Sequence, residues 1–137
     1  MEVLNQLSQE EKSAILSSLP ILSKNMEFFV LRFYFHFLKT KAGVLFQHTQ
    51  IPKQHKMFNT AFTVIINHIT DPVLLEHSIE DLVKSHSKYG IRQDHIDLFI
   101  NSFMIALQEV FNEDSDHLLN SWHTIIVEIM SFFSNEV

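Results

Sequence analysis

The sequence predicts an all-α fold, and three observations carry the prediction. Apolar residues recur at intervals of three and four through most of the 137 residues, the period of a helix face. Only two glycines and three prolines are present, too few for the many tight turns of an all-β chain of this length. Those five residues, Pro20, Gly43, Pro52, Pro72 and Gly90, all stand where one periodic stretch gives way to the next. With 46% hydrophobic residues and no repeat, low-complexity segment or linker, residues 1–137 read as one globular domain with its own core.

The first helix opens with Ser8-Gln9-Glu10-Glu11, a capping box in which Ser8 is the cap and Glu11 reaches back to it. Ala14, Ile15 and Leu19 continue it, and Pro20 is expected to end it. A second helix over residues 21–39 is apolar at Phe29, Val30, Phe33, Tyr34, Phe37 and Leu38. Phe28, Leu31 and Phe35 widen that stripe, which predicts burial on more than one side. Gly43 marks a short irregular corner carrying Val44, Leu45 and Phe46. Pro52 suits the first position of a third helix, where its missing N–H costs nothing. Ile51, Gln54, Phe58, Phe62, Ile65, Ile66 and Ile69 lie along that helix up to Thr70-Asp71-Pro72. A fourth helix ends at Tyr89-Gly90. A fifth, over residues 93–112, presents Ile96, Phe99, Ile100, Phe103, Leu107 and Val110. The last, from about residue 115 to the terminus, presents Leu118, Leu119, Trp122, Ile125, Ile126, Ile129 and Phe133.

Composition removes several classes of function. Without cysteine there are no disulfides, thiolate nucleophiles or zinc ribbons. A formal net charge of -6, with no basic face carrying interleaved aromatics, opposes nucleic-acid binding. Arg32 and His36 interrupt the longest apolar run, residues 26–38, well short of the roughly 20 residues that cross a bilayer. The opening MEVLNQLSQEEK has neither the basic start nor the apolar core of a signal peptide, so a soluble, cytoplasmic protein is expected. Thirteen phenylalanines are many for this length; they either fill a core or line a cavity for a flat apolar ligand.

The chemistry concentrates in residues 75–99. At helical spacing Leu75, Ile79, Leu82, Val83 and His86 share one face, with Glu76, Glu80, Asp81, Lys84 and Lys88 on the other. An imidazole therefore occupies a position where leucine is expected. The pattern stops at Tyr89-Gly90, with glycine where a left-handed backbone is tolerated. Such a histidine is either a core residue bonded to a neighbouring carbonyl or a ligand held just before a helix end.

Phe33-Tyr34, Leu45-Phe46-Gln47, Gln54, the run His86-Ser87-Lys88-Tyr89-Gly90-Ile91 followed by Asp94-His95, and Trp122 occur in an order that resembles the globins. The resemblance is to the bacterial single-domain globins and the haem domain of flavohaemoglobins. His-x-x-Tyr-Gly-Ile after an amphipathic helix is similar to the family's proximal histidine segment. His86 follows Gln54 by 32 positions, the separation this subgroup shows between distal glutamine and proximal histidine. The resemblance implies a three-over-three helical sandwich around haem b, with His86 as the iron ligand. Phe46, Phe58, Leu82, Ile91, Ile96 and Phe99 would contact the haem, with Val83 nearby, and Tyr34 and Gln54 would stand on the distal face.

In that arrangement the His86 ring has the Leu82 carbonyl one turn earlier as its nearest acceptor, with the Ser85 hydroxyl as an alternative, and either bond would set its tautomer. A phenol at Tyr34 and a carboxamide at Gln54 are donors, and dioxygen at ferrous iron carries partial negative charge. At about 0.5–1.5 kcal/mol per bond, the pair is expected to slow oxygen release roughly ten-fold to several hundred-fold. On the residues alone, Tyr34 also reads as a core tyrosine bonded to backbone, and Gln54 as a solvated helix residue.

The implied function is reversible binding of dioxygen, in oxygen binding or transport, with nitric oxide and carbon monoxide as further ligands. The alternative is conversion of nitric oxide and dioxygen to nitrate, with an external reductase because no flavin or nicotinamide domain follows. Three departures stand out. The distance from Tyr34 to Phe46 is short for the family, so either the corner is tightened or Tyr34 is displaced along its helix. Ile96, Ile126 and Val137 stand where flavohaemoglobins strengthen the proximal histidine with a tyrosine and a glutamate, which argues against peroxidase-like activation. Phe58 replaces a smaller aliphatic residue. Of the other histidines, His36, His48, His55, His68, His77, His95, His117 and His123, most are expected at the surface; His55 beside Gln54 would be a sixth iron ligand only if its helix rotated.

Overall fold

A computed structural model describes residues 3–112 and 116–134. Among the described residues the fold is all-α, with no strand: α1 (Gln9–Lys24), α2 (Met26–Phe37), α3 (Ile51–His68), α4 (Pro72–His86), α5 (Gln93–Phe111) and α6 (Asp116–Ser134). Short 3-10 turns occupy Val3–Gln6, Lys41–Phe46 and Ser87–Tyr89. The expected start of the last helix at residue 115, and Val137, lie outside the described residues.

Local chemistry explains most of the helix ends. The capping box at Ser8 is present in both directions: the Glu11 N–H donates to the Ser8 hydroxyl at 3.2 Å, and the Ser8 N–H donates to the Glu11 carboxylate at 3.1 Å. Asp71 caps α4 by accepting the Leu74 N–H, and Pro52 and Pro72 sit in the first turns of α3 and α4. Gly90 closes the turn after α4 at φ +66°, the left-handed conformation expected for it.

Two sequence expectations are corrected. Pro20 does not end α1; it lies exposed inside the helix, which continues to Lys24. The hydrogen bond lost at the proline faces solvent, while the buried face of Ile15 and Ser18 carries on to Leu22, so tertiary burial outweighs local propensity. The break comes at Asn25, whose backbone N–H reaches the Ile21 and Leu22 carbonyls and whose amide donates to Ile21, and α2 leaves at 89°. The second correction concerns the wide stripe of α2. Phe29, Val30, Phe33, Tyr34 and Phe37 are buried, but Phe28, Leu31 and Phe35 are exposed. Arg32 and Lys39 lie over the Phe35 ring at 4.3 and 3.6 Å, giving that face a cationic cover instead of a packed one.

Helix α5 packs on α2 and α6, α6 reaches α1 and α4, and α3 spans α2 and α4. Trp122 of α6 is 1% exposed, and its indole N–H donates to the Ser18 hydroxyl at 3.1 Å, which in turn donates to the Ile15 carbonyl. Phe62 and Phe103 lie 6.4 Å from the Trp122 ring system, so phenylalanines do fill much of the core. Glu109 ties α5 to α2 by accepting from Arg32 at 2.7 Å and pairing with His36 at 2.7 Å; the Arg32 bond, above all, holds its carboxyl below the ordinary range. No single helix among the described residues is long and apolar enough to cross a membrane.

Candidate functional site

The site is built outward from the corner between α2 and α3. Its 3-10 turn, Lys41–Phe46, folds back so closely on α2 that a Cβ at Gly43 would lie 2.3 Å from the Leu38 carbonyl oxygen. Only glycine allows that approach. Lys41 reaches Asp94 of α5 at 2.9 Å, and Arg92 grips the same carboxylate through two N–H groups, at 3.1 and 3.0 Å. The Arg92 bonds first and the Lys41 bond second hold the Asp94 carboxyl well below the usual carboxylate range. The corner is thus pinned to the start of α5.

Tyr34 stays in register with α3: the Gln54 amide donates to its hydroxyl oxygen at 3.1 Å. The phenol is 2% exposed, and burial pushes its pKa up to about 12, with the Gln54 bond opposing. It is therefore neutral at ordinary pH. Because Gln54 occupies the oxygen as donor, the hydroxyl proton remains for another acceptor. Phe33, Phe46 and Phe58 meet the Tyr34 ring edge-on at 5.0, 5.9 and 5.7 Å, and the His55 imidazole stacks on its face at 4.8 Å. Phe58 stacks on Phe99 at 6.0 Å, and Phe99 also meets Phe33 and Phe37. Tyr34, Phe46, Gln54, Phe58 and Phe99, expected from the sequence as site residues, form one connected group.

His86, the last residue of α4, is half-buried. Its Nδ1 lies 2.7 Å from the Leu82 carbonyl oxygen and 3.2 Å from the Ser85 hydroxyl. A carbonyl only accepts, so Nδ1 carries the proton and donates, which leaves a lone pair on Nε2. Nε2 has no hydrogen-bond partner among the described residues. Tyr89 and Phe133 flank the ring edge-on at 5.7 and 5.8 Å. The place of Phe133 was legible only as one member of the apolar face of α6. Ile96 is buried at the start of α5. No hydrogen bond or ring contact among the described residues joins the His86 group to the Tyr34 group.

Farther along α3 and α4 the apolar side chains Ile65, Ile66, Leu75 and Ile79 are sealed. By contrast Phe46, Phe58, Leu82, Ile91 and Phe99 pack on the core from one side and keep part of their surface open. Five large apolar side chains, an imidazole with a free nitrogen, and a phenol with a free proton suit a flat apolar ligand that carries a metal and binds a small polar molecule.

The model of the globin family matches residues 30–133. The chain belongs to the globins. This globin is 26% identical over 121 residues to the flavohemoprotein of Bordetella pertussis, and equally to that of Bordetella parapertussis. The alignments cover 85% of this chain and 30% of each relative, so the globin spans less than a third of those proteins. Its fold is similar to that of a bacterial globin from Campylobacter jejuni, with a TM-score of 0.79, 20% identity, and coverage of 94% of this chain and 95% of that one. Globin membership implies haem, and the free Nε2 of His86 with the half-open apolar set fits that group.

The expectation that most other histidines are superficial needs correction. His48, His77, His117 and His123 are exposed, but His36, His55 and His68 are half-buried and His95 is buried. His95 accepts the Arg92 N–H at 3.0 Å, closing the start of α5, while His68 meets Ser78 at 2.9 Å and links α3 to α4. Each packs because it has a polar partner inside the fold; His55 is the exception.

Proposed function

We propose that this globin binds dioxygen reversibly at haem b, which His86 would hold through Nε2, with Tyr34 and Gln54 as the distal polar pair. The observation that carries the reading is the His86 ring, tied at Nδ1 to the Leu82 carbonyl while Nε2 is left without a partner. When bound, ferrous haem supplies reversible coordination of a diatomic gas. The chain's residues do the rest. The Leu82 carbonyl orients the imidazole and makes Nε2 more basic. Phe46, Phe58, Leu82, Ile91, Ile96 and Phe99 exclude water from the faces of the ring. Tyr34, neutral at ordinary pH, offers its hydroxyl proton to a partly negative ligand, and Gln54 holds that hydroxyl in place.

The test is an absorption spectrum of the purified protein: ferric, reduced, exposed to oxygen, then freed of it. The reading expects a strong band in the blue region and a return to the ferrous spectrum when oxygen is removed. A colourless protein, or irreversible oxidation at first contact with oxygen, overturns it. Likeness to flavohemoproteins supports a second reading, conversion of nitric oxide and dioxygen to nitrate with a separate reductase. Many turnovers of nitric oxide with a reductase supplied favour that enzyme, and a single turnover favours the carrier.

A further inference from the structure

His55 follows Gln54 on α3, and its imidazole lies face to face with the Tyr34 phenol, the planes 19° apart. Its Nε2 is sealed from solvent and has no hydrogen-bond partner, the only buried side-chain nitrogen or oxygen among the described residues in that state. Nδ1 is neither sealed nor hydrogen-bonded, so the ring runs from a solvent-side nitrogen to an interior one. A buried polar atom without a partner costs about 1–3 kcal/mol, whereas a phenylalanine here would keep the stack without that cost. Burial also lowers the pKa of the ring, so it is neutral near pH 7 and one nitrogen carries a proton. The interior nitrogen therefore has a hydrogen-bonding capacity that nothing in the fold uses, on a ring stacked against Tyr34.

We infer that His55 is a third hydrogen-bonding residue of the ligand pocket, presenting its buried Nε2–H beside Tyr34 and Gln54 to the polar atom of a small diatomic ligand. The inference rests on the haem reading above. Gln54 is engaged with the Tyr34 oxygen and the phenol keeps one proton, so His55 would add a donor to that one without disturbing the pair.

Full-length protein with His55→Phe separates the nitrogen from the stack, because the ring remains and the polar atom goes; His55→Leu removes both. Carbon monoxide is the spectroscopic probe, since a donor near its oxygen lowers the C–O stretching frequency. The expected result is a C–O stretch moved to higher frequency in both variants, with dioxygen dissociation accelerated roughly two- to ten-fold in each. A His55→Phe protein indistinguishable from wild type in both measurements overturns the inference and reduces His55 to a stacking support for Tyr34. No change in either variant overturns it as well. A wild-type protein that takes up no haem overturns the haem reading itself, and is seen before any variant is compared.

Discussion

The Gln54 side-chain amide donates to the Tyr34 hydroxyl across 3.1 Å, linking α3 to α2 through residues 20 positions apart. On the proposed function this bond would give the two side chains different tasks: Gln54 orients, and Tyr34 keeps a proton to give. Tyr34→Phe and Gln54→Leu are each expected to speed dioxygen dissociation several-fold to ten-fold or more, measured by stopped-flow displacement with carbon monoxide. Because the two act as one unit, their effects are not additive, and a double-mutant cycle is expected to show coupling of about 0.5–3 kcal/mol. Additive effects would mean that the bond has no role in ligand release.

Burial raises the Tyr34 phenol to about 12, against an ordinary value near 10. Between those values the folded protein keeps a proton that the unfolded chain has released, so this contribution to stability is complete below about pH 10 and is lost as pH rises to about 12. Its size is roughly 3 kcal/mol at full strength. Urea unfolding followed from pH 9 to 12 is expected to show a steeper alkaline loss in wild type than in Tyr34→Phe. Parallel curves would contradict the buried phenol.

Gly43 lets the corner close on α2. A Cβ there meets backbone, the Leu38 carbonyl, and not a flexible side chain that can step aside. Gly43→Ala is expected to destabilise the fold by about 1–3 kcal/mol and, by moving Phe46, to weaken haem retention. Denaturant midpoints and haem transfer to a competing apoprotein measure the two effects.

The Trp122 indole N–H has the Ser18 hydroxyl as its acceptor between α6 and α1. Ser18→Ala leaves that donor buried and unpaired, which is expected to cost about 1–3 kcal/mol in urea unfolding with little change in ligand kinetics.

Much of this protein was legible in its sequence because the signals are local. The Ser8–Glu11 box, Asp71 and Gly90 set helix ends within a few residues of themselves, and helical periodicity identified Leu75, Ile79 and Val83 as buried. The bond from His86 to Leu82 was legible for the same reason: the Leu82 carbonyl lies one turn before His86 in any helix. Pro20 misled because the burial of Leu22, which carries α1 past it, is a tertiary fact. The shortened corner left Tyr34 ambiguous, since the close approach of Gly43 to Leu38 depends on how the chain folds back. His55 read as a neighbour of Gln54, while its stack on Tyr34 and its sealed Nε2 come from packing between α2 and α3.

The central claim is that His86 holds the haem iron. It is tested most directly by titrating haem into the haem-free protein, wild type and His86→Ala, and reading the reduced spectrum of each with and without added imidazole. Wild type is expected to bind one haem per chain with the spectrum of a histidine ligand; His86→Ala is expected to lose that signature and to recover it when imidazole is supplied. Equal uptake and an unchanged spectrum in His86→Ala would contradict the account.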